Sequence, residues 1–276
     1  MARMRKLGAA TVSRIYAEFT RRKAAERLSL HCPAVLGIDE HTLHRGLRFA
    51  TTFTDLKNHR VFDVVAGRSL AELRAYLDRL RGRDKVRVVC IDLSSPYRHL
   101  VARCFPKAKI VADRFHAVRA VIAHFLELVR QIAPETKNHR GLLALWRKRP
   151  ENLTPAQCQR LSALFGCRPA LRPLHEKMHD IRRLLNTKNR TKAQCRPLAA
   201  KLLGAIEELR HSGFQPLVSL ARTLHSWREP LAAMWRFSKN NGITEGFHRK
   251  MKLIQRRAYG FRNFQNYRLR VIAQCG

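Results

Sequence analysis

Acidic side chains are scarce. The 276 residues carry 20 Asp and Glu against 55 Lys and Arg, a formal charge of +35. So large an imbalance points to a polyanionic partner, because Lys and Arg that meet phosphates gain affinity by releasing condensed counterions. Nucleic acid is therefore the expected partner. Long apolar runs are also missing. No stretch approaches the ~18–20 uninterrupted apolar residues of a membrane helix, and the best runs, such as Val86–Ile91, are strand-length. No membrane association is expected. Paired cysteines are the third absence: seven lie scattered and none forms C-x-x-C, which excludes a zinc ribbon or a thioredoxin-like motif built from neighbours. The basic start is not a secretory signal, since Ser13, Arg14 and Glu18 break any apolar segment. Unpaired thiols without an export signal place the chain in the cytoplasm. What is present is 45% hydrophobic residues, enough for a sizeable core and too much for a basic disordered tail.

Three patterns follow one another. From Ala34 to about Leu93 the periodicity is that of strands. Ala34–Ile38 predicts a buried strand ending at Asp39. Residues 47–54 and 60–65 predict a hairpin around Asp55-Leu-Lys-Asn-His. Ser69 with Glu72 three residues on has capping-box form and opens a helix that stops near Gly82. Val86–Ile91 and Ala108–Ala112 are further strands, each followed by an aspartate. Strand, hairpin, helix, strand, short helix, strand predicts an α/β fold, a mixed sheet with helices on its faces. From about 117 to 237 strand signals vanish and helical spacing takes over, with breaks at Pro134, Gly141, Pro150, Pro169, Pro173 and Gly213; an all-α insertion is expected. Trp146, Trp227 and Trp235 sit there among Leu and Ala and read as core. A basic helix from about Thr244 to Tyr259 and a second short helix close the chain.

Two strands end alike, in Leu36-Gly-Ile-Asp39 and Val89-Cys-Ile-Asp92. A carboxylate after a buried strand lies at the edge of an α/β sheet where sites are built. Two such edges side by side suit a hard divalent cation, Mg²⁺ or Mn²⁺, and metal pairs of this kind clamp both oxygens of an in-line phosphoryl displacement. The bland alternative is that each Asp caps a turn. Further on, Glu245, Arg249 and Lys252 fall on one face of the basic helix, an anion in its first turn followed by cations, and Arg256 extends the run. A zinc site built from His41, His44, Asp113 and His116 would need four ligands from loops.

The order Asp39, Asp92, Glu245 on this scaffold resembles the ribonuclease-H-like core of DDE transposases. Gly37-Ile-Asp-Glu-His41, Ile110-Val-Ala-Asp-Arg-Phe-His116 and the block from Glu245 to Asn263 are similar to bacterial insertion-sequence transposases of the ISL-three type, with coverage from about Pro33 to Gly276. The resemblance implies a ribonuclease-H-like mixed sheet at 34–119 interrupted by a helical insertion at 120–238 and completed by helices at 239–276. It implies a DDE enzyme, Asp39, Asp92 and Glu245 holding Mg²⁺ or Mn²⁺, that cuts transposon ends and joins them to target DNA as a homo-oligomer assembled on DNA in the bacterial nucleoid. The second acid is Asp92 or Asp113. In such cores it ends the fourth strand, beside the first, which favours Asp92. Asp113-Arg-Phe-His116 then resembles the Asp/Cys-x-x-His element of Mutator-like and hAT-like transposases, holding DNA together with Arg249, Lys252 and Arg256. Residues 1–33 resemble only the last helix of the family's N-terminal DNA-binding region, so a truncated copy is expected. The alternatives are a ribonuclease-H-like nuclease or resolvase, and a non-catalytic basic DNA-binding protein descended from a transposase.

Overall fold

A short turn rich in hydrogen-bonding side chains sets the register of the sheet. In the computed structural model of the chain, which describes residues 8–28, 31–44, 48–237 and 242–276, Asp55 accepts the N–H groups of Lys57 and Asn58, each at 3.1 Å, and His59 takes a left-handed φ of 55°. This Asx-type turn joins β2 (Arg48–Asp55) to β3 (Arg60–Ala66). The preceding strand, β1 (Val35–His44), pairs antiparallel with β2, Asp39 opposite Thr52. Two compact units are distinct, 1–111 with 239–276 and 112–238. The first contains the sheet, in the order β3-β2-β1-β4-β5, where β4 (Val88–Ile91) runs parallel to β1 and β5 (Lys109–Ala112) forms the edge. Buried on both faces, β4 has no polar alternation to offer, hence its continuous Val-Val-Cys-Ile. Before the sheet stands α1 (Ala9–Leu28); α2 (Leu70–Asp78) and α3 (Ser95–Cys104) flank β4 in sequence, α2 opening on the expected Ser69–Glu72 capping box.

One expectation about β1 is corrected. Asp39 does not end the strand but lies in its middle, because the β2 pairing continues to His44 after the β4 pairing has stopped at Gly37.

The second unit is helical: α4 (Arg114–Ile132), α5 (Arg140–Arg147), α6 (Pro155–Cys167), α7 (Leu171–Asn186), α8 (Lys192–Arg210), α9 (Gln215–Ser226) and α10 (Arg228–Arg236). It begins at Ala112, not at 120, since Asp113 caps α4 immediately after β5. The expected return near 238–239 lies outside the described residues. Here α4 packs on α7 and α9, and Trp146, Trp227 and Trp235 are all buried, as their apolar neighbours predicted. The Trp235 indole donates to Leu184 O at 3.0 Å. Buried Arg114 donates to the carbonyls of Leu185, Thr187 and Met234, so a guanidinium ties three carbonyl ends together inside this unit.

The first unit is completed by α11 (Gly242–Arg257) and α12 (Phe264–Cys275). Met251 and Ile254 of α11, with Tyr267, Val271 and Cys275 of α12, bury against Ala50, Val61 and Val64 of the hairpin. Arg268 of α12 makes a bidentate pair with buried Asp63 of β3, at 2.7 and 2.6 Å, and Tyr76 of α2 donates to the same carboxylate. On its other side α12 carries α1. Among the described residues no helix is long and apolar enough to cross a membrane.

Candidate active site

Neighbouring strands lead to the first two acids. The parallel pairing of β1 and β4 aligns Val35 with Val88 and ends at Gly37 with Cys90. Asp39 and Asp92 each follow that last pair by two residues, Asp92 just beyond the end of β4. Asp39 Oδ1 accepts the N–H of Glu40 at 2.8 Å, and its side chain is largely withdrawn from solvent. Because side chains alternate along β1, Asp39 and His41 face α11 while Glu40 points to the opposite face. There burial and the Glu40 carboxylate hold the Tyr97 phenol well above its ordinary pKa, with Asp92 adding in the same direction.

Helix α11 lies across the Asp39 face. Thr244 reaches Thr54 at 3.2 Å, hydroxyl to hydroxyl, and Met251 Sδ lies 4.0 Å from the Thr52 hydroxyl. Between them His248 places Nε2 3.1 Å from Thr52 Oγ1 and Nδ1 3.9 Å from Asp39 Oδ2. The same Thr52 hydroxyl stands 3.0 Å from His41 Nδ1, and His41 Nε2 is 2.9 Å from the Tyr267 hydroxyl. Burial above all, then the charges of His248 and Lys252, push the His41 pKa down to about 3, so this imidazole is neutral at physiological pH. A single direction of donation satisfies every group: Tyr267 O–H to His41 Nε2, His41 Nδ1–H to Thr52, Thr52 O–H to His248 Nε2. That leaves the His248 Nδ1–H facing the Asp39 carboxylate. The opposite direction would aim a lone pair at an anion 3.9 Å away, which disfavours it. From sequence His41 was weighed only as a zinc ligand, and Thr52, His248 and Tyr267 were not singled out as site residues, although His248 falls inside a motif quoted above.

Glu245 stands in the first turn of α11, three residues before His248 and therefore on the adjoining face. Its carboxylate accepts from Arg249 at 2.9 Å. Lys252 and Arg256 continue along the helix, both exposed. Among the described residues no group of three or more His, Cys, Asp or Glu is gathered closely enough to hold a metal ion. The structure thus puts Asp39 and Asp92 two residues past the last pair of adjacent strands and does not gather them with Glu245. The donor chemistry still suits a hard divalent cation, because both aspartates offer carboxylate oxygens and nothing softer.

Asp113 and His116 belong to the helical unit. Asp113 is buried and accepts the N–H of Phe115 at 3.0 Å through one oxygen, while its other oxygen lies 2.7 Å from His116 Nδ1. Both ring nitrogens of His41 are engaged by Thr52 and Tyr267, and the Asp113 carboxylate meets His116. The side chain of His44 lies outside the described residues.

Comparison with known proteins gives the family. The profile of the ISL3 family of DDE transposases, described as "Transposase", matches residues 36–271. The transposase for insertion sequence element IS1001 of Bordetella parapertussis is 28% identical over 250 residues, an alignment covering 86% of this chain and 60% of that protein. The chain thus spans well under two thirds of the length of the curated relative it matches. With 36–271 taking in both strand acids, the helical unit and all of α11, the chain belongs to the ISL3 family of transposases.

Proposed function

We propose that this chain cuts DNA at the ends of an insertion sequence and joins them to target DNA, on a ribonuclease-H-like core, with Asp39, Asp92 and Glu245 as the acids that hold Mg²⁺ or Mn²⁺. The observation that carries the reading is the parallel pairing of β1 with β4, the strands that carry Asp39 and lead to Asp92, with basic α11 across the Asp39 face. Asp92 is preferred to Asp113 as the second acid because it follows the strand paired to β1, whereas both oxygens of Asp113 are engaged in the first turn of α4. When bound, the divalent ions supply activation of an attacking water or 3′-hydroxyl and neutralise charge at the leaving oxygen. The protein's own part is positioning. The Glu40 N–H and the His248 ring orient the Asp39 carboxylate, and β4 presents Asp92 beside it. Arg249, Lys252 and Arg256 bind phosphates of the strand laid along α11, while Asp113 and His116 hold DNA from the helical unit. Homo-oligomer assembly on DNA belongs to the same proposal.

The test compares variants on a labelled duplex carrying the element's end. Asp39→Asn should abolish Mg²⁺- or Mn²⁺-dependent cleavage and leave DNA affinity nearly unchanged, since one anion fewer hardly alters a +35 chain. Asp92→Ala should lose metal affinity as well as cleavage, and Asp113→Ala should keep metal affinity. Wild-type cleavage by Asp39→Asn would end the reading. Metal binding lost only in Asp113→Ala would move the second acid there. A joined product, beyond cut ends, separates a transposase from a nuclease.

A further inference from the structure

Beside the hairpin and the last two helices lies a cavity of about 790 Å³ that the site described above does not use. Its walls are aromatic: Phe49 of β2, Phe261 in the loop after α11, Phe264 and Tyr267 of α12. Phe261 and Phe264 pack on the core with one side and leave the other to the cavity. Its rim carries two guanidiniums and one carboxylate, that of Glu72, which is held in the capping box with Ser69. Arg68 stacks its guanidinium 3.8 Å over the Phe49 ring, and Arg256 closes the α11 side. Tyr259, also on the rim, is fully exposed and has a φ of 51°, with Gly260 at 96° after it. A bulky aromatic residue in the left-handed region is an outlier that costs energy, and here no packing of its ring offsets that cost.

Position connects this cavity to the acids. Leu43 on its wall follows Asp39 by four residues of β1, about 13 Å. Arg256 follows Glu245 by eleven residues of α11, about 16 Å, with Arg249 and Lys252 on the same exposed stripe. A strand whose phosphate sits at the acids and runs along that stripe therefore reaches the cavity after about four to five nucleotides at ~3.4 Å each.

We propose that this aromatic cavity receives an unpaired nucleobase of the DNA strand that lies along α11, with Tyr259 stacking on it and Arg68 and Arg256 holding its flanking phosphates. Aromatic rings take any base by its π-face, and cations at the rim match the phosphates on either side. A volume within the ~300–1,000 Å³ of small-molecule sites accommodates a base. The Gln255 side chain on the wall is the polar group placed to read the base edge. The inference rests on the proposed path of DNA past Asp39 and Glu245, but its test does not need cleavage.

The test measures binding of the full chain, without divalent metal, to a twelve-nucleotide oligo-dT carrying one 2-aminopurine, and to a fully paired twenty-base-pair duplex. The wild type should quench the 2-aminopurine. Tyr259→Ala should lose that quenching and bind the oligonucleotide about five- to a hundred-fold more weakly, with duplex affinity unchanged. Tyr259→Phe should restore both. Because the Tyr259 ring packs on nothing, its removal leaves the fold intact, which far-ultraviolet circular dichroism checks. Equal quenching and affinity in Tyr259→Ala would overturn the proposal. A dimer seen by sedimentation in the wild type and dissociated in Tyr259→Ala would overturn it too, assigning the cavity to a second copy. Quenching by a chain that never cleaves would refute the enzymatic reading and leave this one standing; cleavage without quenching would do the reverse.

Discussion

His175 and His179 of α7 show how little a histidine's chemistry can be read without its surroundings. They lie one turn apart with Nε2 atoms 3.1 Å from each other, and His175 stacks edge-on against Trp146 at 5.0 Å. Arg182 donates to Arg147 O and lies 3.2 Å from His179 Nδ1. Burial first, then the neighbouring positive groups, lower both imidazoles to about 4. An unfolded chain binds these protons near its ordinary 6.5, the folded one only near 4. Stability from this pair is therefore complete above about pH 6.5 and is lost as the pH falls from there toward 4. The loss by pH 4.5 should reach about 2–3 kcal/mol for each imidazole, or about 5 kcal/mol for the pair. Urea unfolding at pH 7.5, 5.5 and 4.5, followed by tryptophan fluorescence, checks this directly, because all three tryptophans lie in the helical unit. His175→Phe should flatten the dependence; an unchanged slope would refute the assignment.

The elements around the acids were legible to different degrees, and for physical reasons. The hairpin, the capping box and the basic helix announce themselves by local chemistry: an Asx turn, a Ser–Glu pair, a charged stripe. The strands that carry Asp39 and lead to Asp92 were legible because they repeat one short apolar pattern. The extent of β1 was not, since its continuation to His44 depends on β2, a partner that local apolar content does not reveal. The chain His248–Thr52–His41–Tyr267 was equally hidden, for it joins residues more than two hundred positions apart. The start of the helical unit was misplaced because Asp113 could be read as a site acid or as a cap, and its cap geometry decides the boundary. What locks α12, and through it α11, onto the sheet is the Asp63–Arg268 pair. Asp63→Ala should cost about 3–5 kcal/mol, because a half-buried guanidinium loses its partner. Cys275, buried at the end of α12, then gains thiol reactivity, which peptide-resolved alkylation measures. Unaltered labelling of Cys275 would show that the pair does not hold the helix.

For the whole molecule, charge is the dominant property. Residues 239–276 alone hold nine basic side chains and a single acid, and 112–238 share the excess. Affinity for duplex DNA should therefore fall steeply with salt, with a slope of about −0.9 in log K per phosphate neutralised, or ~10³–10⁵ in affinity between 50 and 200 mM for six to ten contacts. Fluorescence anisotropy across a salt series gives that slope; a value near zero would mean the cations do not meet phosphates. Removing the three stripe cations Arg249, Lys252 and Arg256 should lower the slope by about three contacts.

The placing of the helical unit between β5 and α11 has a consequence for synthesis. A ribosome delivers residues 112–238 complete before it reaches the helices that cover the hairpin, so the later-begun unit has its whole sequence first. Until residues 239–276 emerge, Ala50, Val61 and Val64 have no α11 or α12 to bury them. Domains fold as units during translation, so the nascent chain passes through a stage with one unit finished and the other open at the hairpin face that α11 and α12 cover. A chain stalled before residue 239 carries most of its positive charge but lacks α11 and α12. The order of the sequence thus delays completion of the first unit until both helices have been made.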